Sequence, residues 1–536
     1  MNRLYLLAGL TFFAAPSYPA EWTTGAQLNL QSSYSTNVCR RPNDEQDEVY
    51  STVTPTLNVR GEGSRARLAL VAGVEYNSLA EKDVDCSVGG VGGIGDGGAF
   101  VGVGAQESWV PRLNFTGEME AVENLLFFEA DAFATQNAIN PFVTGGDDNL
   151  SATGNVNITS RWGAGARIDR QWQESWQALL RYRYNEQFNS VDQLFGDSEE
   201  NRFDLIAGMI PGTSRITFNL QGNYSEVTFS ETERAPESSN RLSRLELRSV
   251  LQLSNSWQAT AAYGEESNAF LSAADEVEGH SWDVGFRWAP NSRVIAEAGY
   301  GERFFGEAPR ASLQYRHKRS VLTVSYLRDL QFPRNIRGAD GSFDPDDPFG
   351  PGSPGSGQPG SNGPTVVGQS PVLNEIATIN YLFQTRRMNF FIDFRDSRQT
   401  RASDGGGADF FQINVNADRR ISQKLTLEFN TAYIENSGTF DADEVVIPQG
   451  RETWQGRVGL RRALANRASV FVRYEYQEQS DTSGNLTSTF NEFEEHRILF
   501  GIQFGFGQGN TQTGVGVGMG VGGVGLGGIG GGGFSF

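Results

Sequence analysis

The sequence predicts an all-β fold, a single transmembrane antiparallel up-and-down β-barrel. Three observations predict it. Apolar and polar residues alternate with period two along most of the chain, which gives each strand two chemically different faces. The connections alternate between tight turns and long acidic loops, the pattern of a barrel with short periplasmic turns and long extracellular loops. The composition combines 64 Gly and 11% aromatics with a mean hydropathy of −0.41. After the N-terminus no apolar run reaches the ~20 residues of a membrane helix, which excludes a polytopic helical protein. The aromatic content excludes a disordered acidic chain.

Taken in order, the chain opens with Arg3 as a basic n-region, an apolar stretch Leu4 to Ala15, and Pro16-Ser17-Tyr18-Pro19-Ala20, which reads as a secretory signal peptide over residues 1–20. The barrel is expected over 21–506. Its first strand places Trp22, Ala26, Leu28, Leu30 and Tyr34 on one face and Thr23, Gln27, Asn29, Gln31 and Ser33 on the other. The same alternation returns at Val49–Val59, Ala66–Tyr76, Val156–Ile168, Trp176–Tyr184, Ile216–Tyr224, Leu245–Leu253, Trp282–Trp288, Phe411–Ala417, Ala468–Tyr476 and Ile498–Phe506. No segment carries the pattern of an amphipathic helix.

Between strands, Gly61-Glu62-Gly63-Ser64, Pro211-Gly212-Thr213, Ser254-Asn255-Ser256, Pro290-Asn291-Ser292, Ile421-Ser422-Gln423-Lys424 and Ala465-Asn466-Arg467 are tight turns of Gly, Pro, Asn and Ser. The long loops are expected at Cys39–Glu48, Leu79–Gln106, Gln136–Ser151, Thr228–Asn240, Glu265–Gly279, Asp329–Ser370, Ser397–Ala408, Asn436–Arg451 and Gln477–Asn491. Counting hairpins gives about 22 strands, with an uncertainty of about four, inside the even-numbered range of bacterial barrels. A barrel of that width encloses a lumen rather than a packed core.

Assigning the apolar parity to lipid sends the intervening residues into the lumen. The candidate lumen-facing arginines are Arg161, Arg167, Arg181, Arg183, Arg244, Arg248, Arg287, Arg303, Arg316, Arg457, Arg461 and Arg473; Glu75, Asp169, Glu246, Asp283, Glu297, Asp393, Glu428 and Glu475 share their side. Two readings follow. The guanidinium groups form a transport path that grips the carboxylates of an anionic polysaccharide or solute, or they form a wall of Arg–carboxylate pairs that holds the lumen in shape.

The net charge of −20 resides mainly in loops such as Asn43–Glu48 and Asp197–Glu200, so it implies no nucleic-acid partner. Asp340–Asp347 has calcium-like oxygen density without the spacing of a calcium loop, and reads as a solvated loop beside the flexible Gly350–Gly363 stretch. No cofactor or metal motif is present in the sequence. Cys39 and Cys86, the only cysteines, fall in adjacent loops at one end and form a candidate disulfide in an exported chain. His280, His317 and His496 are scattered and no nucleophile motif accompanies them, so no enzyme is expected. Gly89–Gly104 and Gly514–Gly533 read as low-complexity segments, the second inside a Gly-rich tail, 507–536, that ends in Phe-Ser-Phe. Phe504 and Phe506 are the expected barrel-end aromatics, because alternation stops there. The partners expected of such a chain are outer-membrane lipid and lipopolysaccharide, and the barrel-assembly machinery.

Several stretches resemble an uncharacterised family of outer-membrane, porin-like proteins associated with the exosortase/PEP-CTERM system and exopolysaccharide gene clusters. Ser33–Val38 with Val53–Leu57 is similar to that family's opening strand pair, and Asn124–Ala132 running to Asn140-Pro141-Phe142 to its next block. Trp288–Arg293 through Tyr300–Gly306 resembles its central hairpin, and Asn491–Arg497 its last strand. The resemblance implies a cell outer membrane location and a pore linked to exopolysaccharide production or export. The alternative expectation is a structural or surface-interaction barrel with a closed lumen and acidic, polymer- or cation-binding loops.

Overall fold

A computed structural model of the chain describes residues 21–40, 45–80, 109–137, 157–190, 196–210, 212–232, 236–270, 272, 277–332, 369–442, 445–465, 467–482 and 492–507. The signal segment, Cys86, both Gly-rich segments, Asp340–Asp347 and the tail beyond Gly507 lie outside these residues. The described chain is one sheet. Its strands are β1 Glu21–Ser35, β2 Glu48–Glu62, β3 Ala66–Leu79, β4 Trp109–Val122, β5 Leu126–Asn137, β6 Asn157–Trp172, β7 Trp176–Asn189 and β8 Ser198–Met209. Then come β9 Ile216–Phe229, β10 Ser238–Gln252, β11 Trp257–Ser267, β12 Glu278–Asn291, β13 Val294–Arg303, β14 Gly306–Glu307, β15 Arg310–His317 and β16 Ser320–Gln331. The circuit ends with β17 Val372–Gln384, β18 Met388–Arg401, β19 Gly407–Arg420, β20 Leu425–Ala442, β21 Val445–Ala465, β22 Ala468–Asp481 and β23 Phe493–Gly507.

Apart from β14 and β15, which both pair with β13, each strand pairs antiparallel with the next, and β23 returns to β1 through Ala26↔Phe506 and Tyr34↔Ile498, so the sheet closes on itself. The two residues of β14 and the eight of β15 both pair with β13 and share one place in the wall, which makes 22 staves from 23 strands. The fold class and strand number read from the sequence hold. Closure satisfies every stave's backbone on both edges, the condition for crossing a bilayer with strands.

Outside, the alternate positions form an apolar belt: Leu180 and Tyr182 on β7, Phe218 and Leu220 on β9, Val284 and Phe286 on β12, and Ile498 and Phe500 on β23 all lie exposed. Such a belt is costly in water and is stabilised by lipid. The protein is therefore an integral barrel of the outer-membrane type, although no helix among the described residues is long and apolar enough to span a membrane.

Three expectations need correction. Asn436–Arg451 is no loop: β20 and β21 stay paired from Asn436↔Arg451 to Ala442↔Val445, a hairpin that rises beyond the other strands. Ser397–Ala408 shortens to the few residues between Arg401 and Gly407. Asp197–Glu200 is not a loop either: Ser198, Glu199 and Glu200 open β8, and Glu200 is buried on its inner face. At the loop-side end the connection from Arg303 to Arg310 is short, and there Gly306 takes a positive φ of 96° that favours glycine.

Candidate functional site: the barrel interior

The inward positions form four regions of wall. In the first, β4 to β8, Glu129 on β5 receives Arg167 of β6 at 2.8 Å and Arg181 of β7 at 2.7 Å. Arg183 meets Asp131, and Arg161 approaches Glu200 of β8 at 3.5 Å, reaching across β7. Glu200 also accepts hydrogen bonds from Asn185 and Ser225, at 3.2 and 2.8 Å. Strand pairing sets these partners, because cross-strand and diagonal neighbours on one face lie within reach of an arginine.

In the second region, β10 to β16, Glu246 lies between Arg244, at 2.5 Å, and Arg248, at 3.0 Å. Arg303 at the end of β13 joins Glu266 of β11, at 2.6 Å, to Asp329 of β16. Arg287 pairs with Glu297 at 3.0 Å. Arg310 donates from Nε to Asp283 at 3.1 Å and lies over Gly285 and Gly299, where a Cβ at either position would collide with its guanidinium. In the third region, β20 to β23, Glu428 holds Arg461 at 2.8 Å and Arg473 at 3.4 Å, while Arg457 pairs with Glu475 at 2.6 Å. Phe471 stacks beneath Arg461 and Arg473 and fills the space over Gly501.

Every one of the twelve candidate arginines except Arg316 therefore has a carboxylate partner. Arg316, near the turn-side end of β15, has none among the described residues. The geometry is that of charge-matched walls, with guanidinium pairs holding staves together.

The fourth region is neutral. Ser325 and Thr378 share a 2.6 Å hydrogen bond, Ser397 donates to Asn374 at 2.9 Å, and Asn430 donates to Asn414 at 2.8 Å and to Asn416 at 2.6 Å. These amides and hydroxyls give β16 to β20 a largely uncharged polar inner face, interrupted by Asp393 and Arg395 of β18 and by the apolar Val321, Leu327, Ile376 and Leu382.

The interior also differs along its axis. At the loop-side end, inward residues are buried almost all round the circuit: Ser35, Tyr50, Asn77, Val110, Asn157, Gln187, Glu200, Val227, Asn240, Glu266, Gln399, Asn436, Gln479 and Glu495. Towards the turns most inward residues are half-exposed, with buried exceptions at Thr217 and Asn219 on β9 and at Arg461, Ser469, Phe471 and Arg473 on β21 and β22. Two arrangements pack the loop-side end, and neither is visible in the sequence. Behind β1, Arg40 folds against β23 and donates to Glu495 at 3.0 Å; Arg497 reaches the same carboxylate at 2.9 Å and Ser35 donates to it at 2.6 Å. Arg40 and Glu495 are 2% and 1% exposed. Second, Phe332, the residue after β16, packs against Val227 and Phe229 of β9 and Leu242 of β10. Five staves separate β16 from β9 around the wall, so this contact draws distant parts of the circuit together. Before β17, Gln369 accepts from Ser238 of β10, and its carbonyl accepts from Asn240 at 3.1 Å.

The remaining sequence candidates sit apart from this interior. Cys39 is buried and disulfide-bonded, and Cys86 lies outside the described residues. His280 stacks on Tyr263, His317 on Tyr315, and His496 Nδ1 lies 2.7 Å from the Tyr474 hydroxyl; all three are on the outer face. Phe504 and Phe506 stand opposite Leu28 and Ala26 at the closing seam.

No family model matches the sequence, and no curated protein matches it. Solved structures with a similar shape include the siderophore receptor PirA from Acinetobacter baumannii, 10% identical, covering 90% of this chain and 80% of that one with a TM-score of 0.49. The ferric enterobactin receptor PfeA from Pseudomonas aeruginosa gives 10% identity, 90% and 81% coverage and a TM-score of 0.49. The FrpB iron transporter from Neisseria meningitidis gives 9%, 90%, 82% and 0.47. At this level the likeness says nothing about cargo.

Proposed function

We propose that the barrel is a gated outer-membrane conduit for a hydroxyl-rich polymer, working in exopolysaccharide production or export. The observation that carries this reading is the axial contrast of the interior: polar, charge-matched and half-open on the turn side, packed on the loop side. Paired guanidinium groups leave no free cation ladder for an anionic polymer, whereas the Asn/Gln/Ser/Thr residues on the inner face of β16 to β20 offer the donors and acceptors that sugar hydroxyls use. The resemblance to exopolysaccharide-associated barrels supports the setting. Lipopolysaccharide around the belt and the barrel-assembly machinery are the partners that such a barrel would need. The reading assigns passage to the protein and no catalysis.

Planar-bilayer recording tests it. The native protein is expected to show rare openings, and Phe332→Ala, which removes the side chain clamped to Val227 and Phe229, is expected to raise the open fraction. Neutral oligosaccharides should then block the open current. No channel events in either polarity, from either protein, would favour a closed surface barrel instead.

A further inference from the structure

The turn-side rim is divided into two chemically different arcs. From β12 to β23, five successive turns carry Arg293; Lys318 and Arg319; Arg386 and Arg387; Arg419, Arg420 and Lys424; and Arg462 and Arg467. All ten side chains are exposed, and none makes an ion pair among the described residues. The turns themselves, 289–293, 317–320, 384–388, 419–425 and 462–468, contain no acidic residue; Asp418 beside them faces the interior.

The turns of the other arc are mixed. Arg60 pairs with Glu62 at 2.5 Å and Arg65 with Glu123 at 2.9 Å, and Glu120 and Glu174 add further acid.

We propose that the basic arc binds the phosphates of anionic phospholipids in the leaflet at the turn-side end. Strand alternation carries the argument. Within the doublets Arg419-Arg420 and Arg461-Arg462, neighbouring residues point to opposite faces, so Arg419 and Arg462 lie on the lipid side while Arg420 and Arg461 lie on the inner side. Exposed apolar residues stand at the same level, with Ile421 52% and Leu464 48% exposed and Trp288 and Tyr315 just beyond them. Cations beside apolar and aromatic anchors at a strand end match a headgroup layer, where the anchors enter the hydrocarbon and the cations meet phosphate. An acidic protein in the periplasm would need the cations alone. On this reading about half of the circumference holds anionic lipid and the other half does not.

The test uses the full chain in nanodiscs made from an equal mixture of phosphatidylglycerol and phosphatidylcholine, with one or the other lipid carrying brominated acyl chains that quench tryptophan. Trp288, on the basic arc, is compared with Trp176, on the mixed arc, each by its replacement with Phe. The expected result is stronger quenching of Trp288 by brominated phosphatidylglycerol than by brominated phosphatidylcholine. The preference should reach at least about fivefold at low salt and shrink in about 0.5 M sodium chloride. Trp176 should quench equally with both. The combined variant Arg386→Gln, Arg387→Gln, Arg419→Gln and Arg420→Gln should lose the preference. Equal quenching of Trp288 in the native protein overturns the proposal, as does a preference unmoved by salt, and both outcomes are read without the variant. Polyglutamate binding that the combined variant loses, together with equal quenching of Trp288 by the two lipids, would overturn the proposal and assign the arc to an acidic protein.

Discussion

The loop-side and turn-side ends of this barrel are built from the same strands and the same period-two rule, yet one end is packed inside and the other is half-open. At the loop side a carboxylate, Glu495, is enclosed by Arg40, Arg497 and Ser35, and Phe332 ties β16 to β9. At the turn side, pairs such as Arg287–Glu297 lie half-exposed on the wall, and the rim beyond it is left with unmatched cations. The difference teaches that alternation decides only which residues face inward. Whether the interior is sealed depends on what the segments after the strands bring back into it.

The largest effect that would break this comparison is expected at Glu495. Replacing it with Ala removes the buried carboxylate that Arg40 and Arg497 share. Breaking a buried pair in this way costs about 3–5 kcal/mol. Glu495→Ala should lower the temperature at which the barrel loses its compact electrophoretic form well below that of the native protein. A midpoint equal to native would show that the loop-side seal does not rest on this carboxylate.

Glu297 tests the other end with a smaller expected loss. It serves Arg287, and with the two side chains 22% and 36% exposed water reaches the pair and screens it, so Glu297→Ala should cost no more than about 1 kcal/mol. Measured by urea unfolding alongside Glu495→Ala, the ratio of the two losses sharpens the comparison. Equal losses would mean that the turn-side wall is as dry as the loop-side seal.

Eleven strands are legible as period-two runs, including β1, β7, β12, β22 and β23. Several that escape the pattern share a physical cause: their inward positions carry apolar residues, which blur the alternation. Phe127 and Phe133 do this on β5, Ile206 on β8, Val321 and Leu327 on β16, and Ile376 and Leu382 on β17. The β20–β21 hairpin was hidden differently. Above the lipid its strands need no apolar face, so Gly438, Asp441 and Pro448 read as loop although the backbone pairs throughout. The inward parity of the arginines is plain from local pattern, but their partners are not. Arg161 finds Glu200 across an intervening strand, and that depends on the register of two hairpins. The Phe332 contact depends on the curvature of the whole circuit, which no local pattern encodes.

The smallest expected effect falls on Arg316, and it separates stability from selectivity. Half-exposed and without a carboxylate partner among the described residues, it makes no ion pair to lose, so Arg316→Gln should change unfolding free energy by no more than about 0.5 kcal/mol. Its charge nevertheless stands on the open side of the lumen, next to a rim that already carries ten exposed cations. Removing it should shift the reversal potential of an open channel, measured in a salt gradient with Phe332→Ala as the background, towards less anion preference. Arg181→Gln, whose guanidinium is held by Glu129, should move that potential in the same direction by less, because water and the neighbouring Arg167 can compensate the freed carboxylate. A larger shift at Arg181 than at Arg316 would return the paired arginines to the transport path and reverse the division drawn between a structural wall and an open, turn-side mouth.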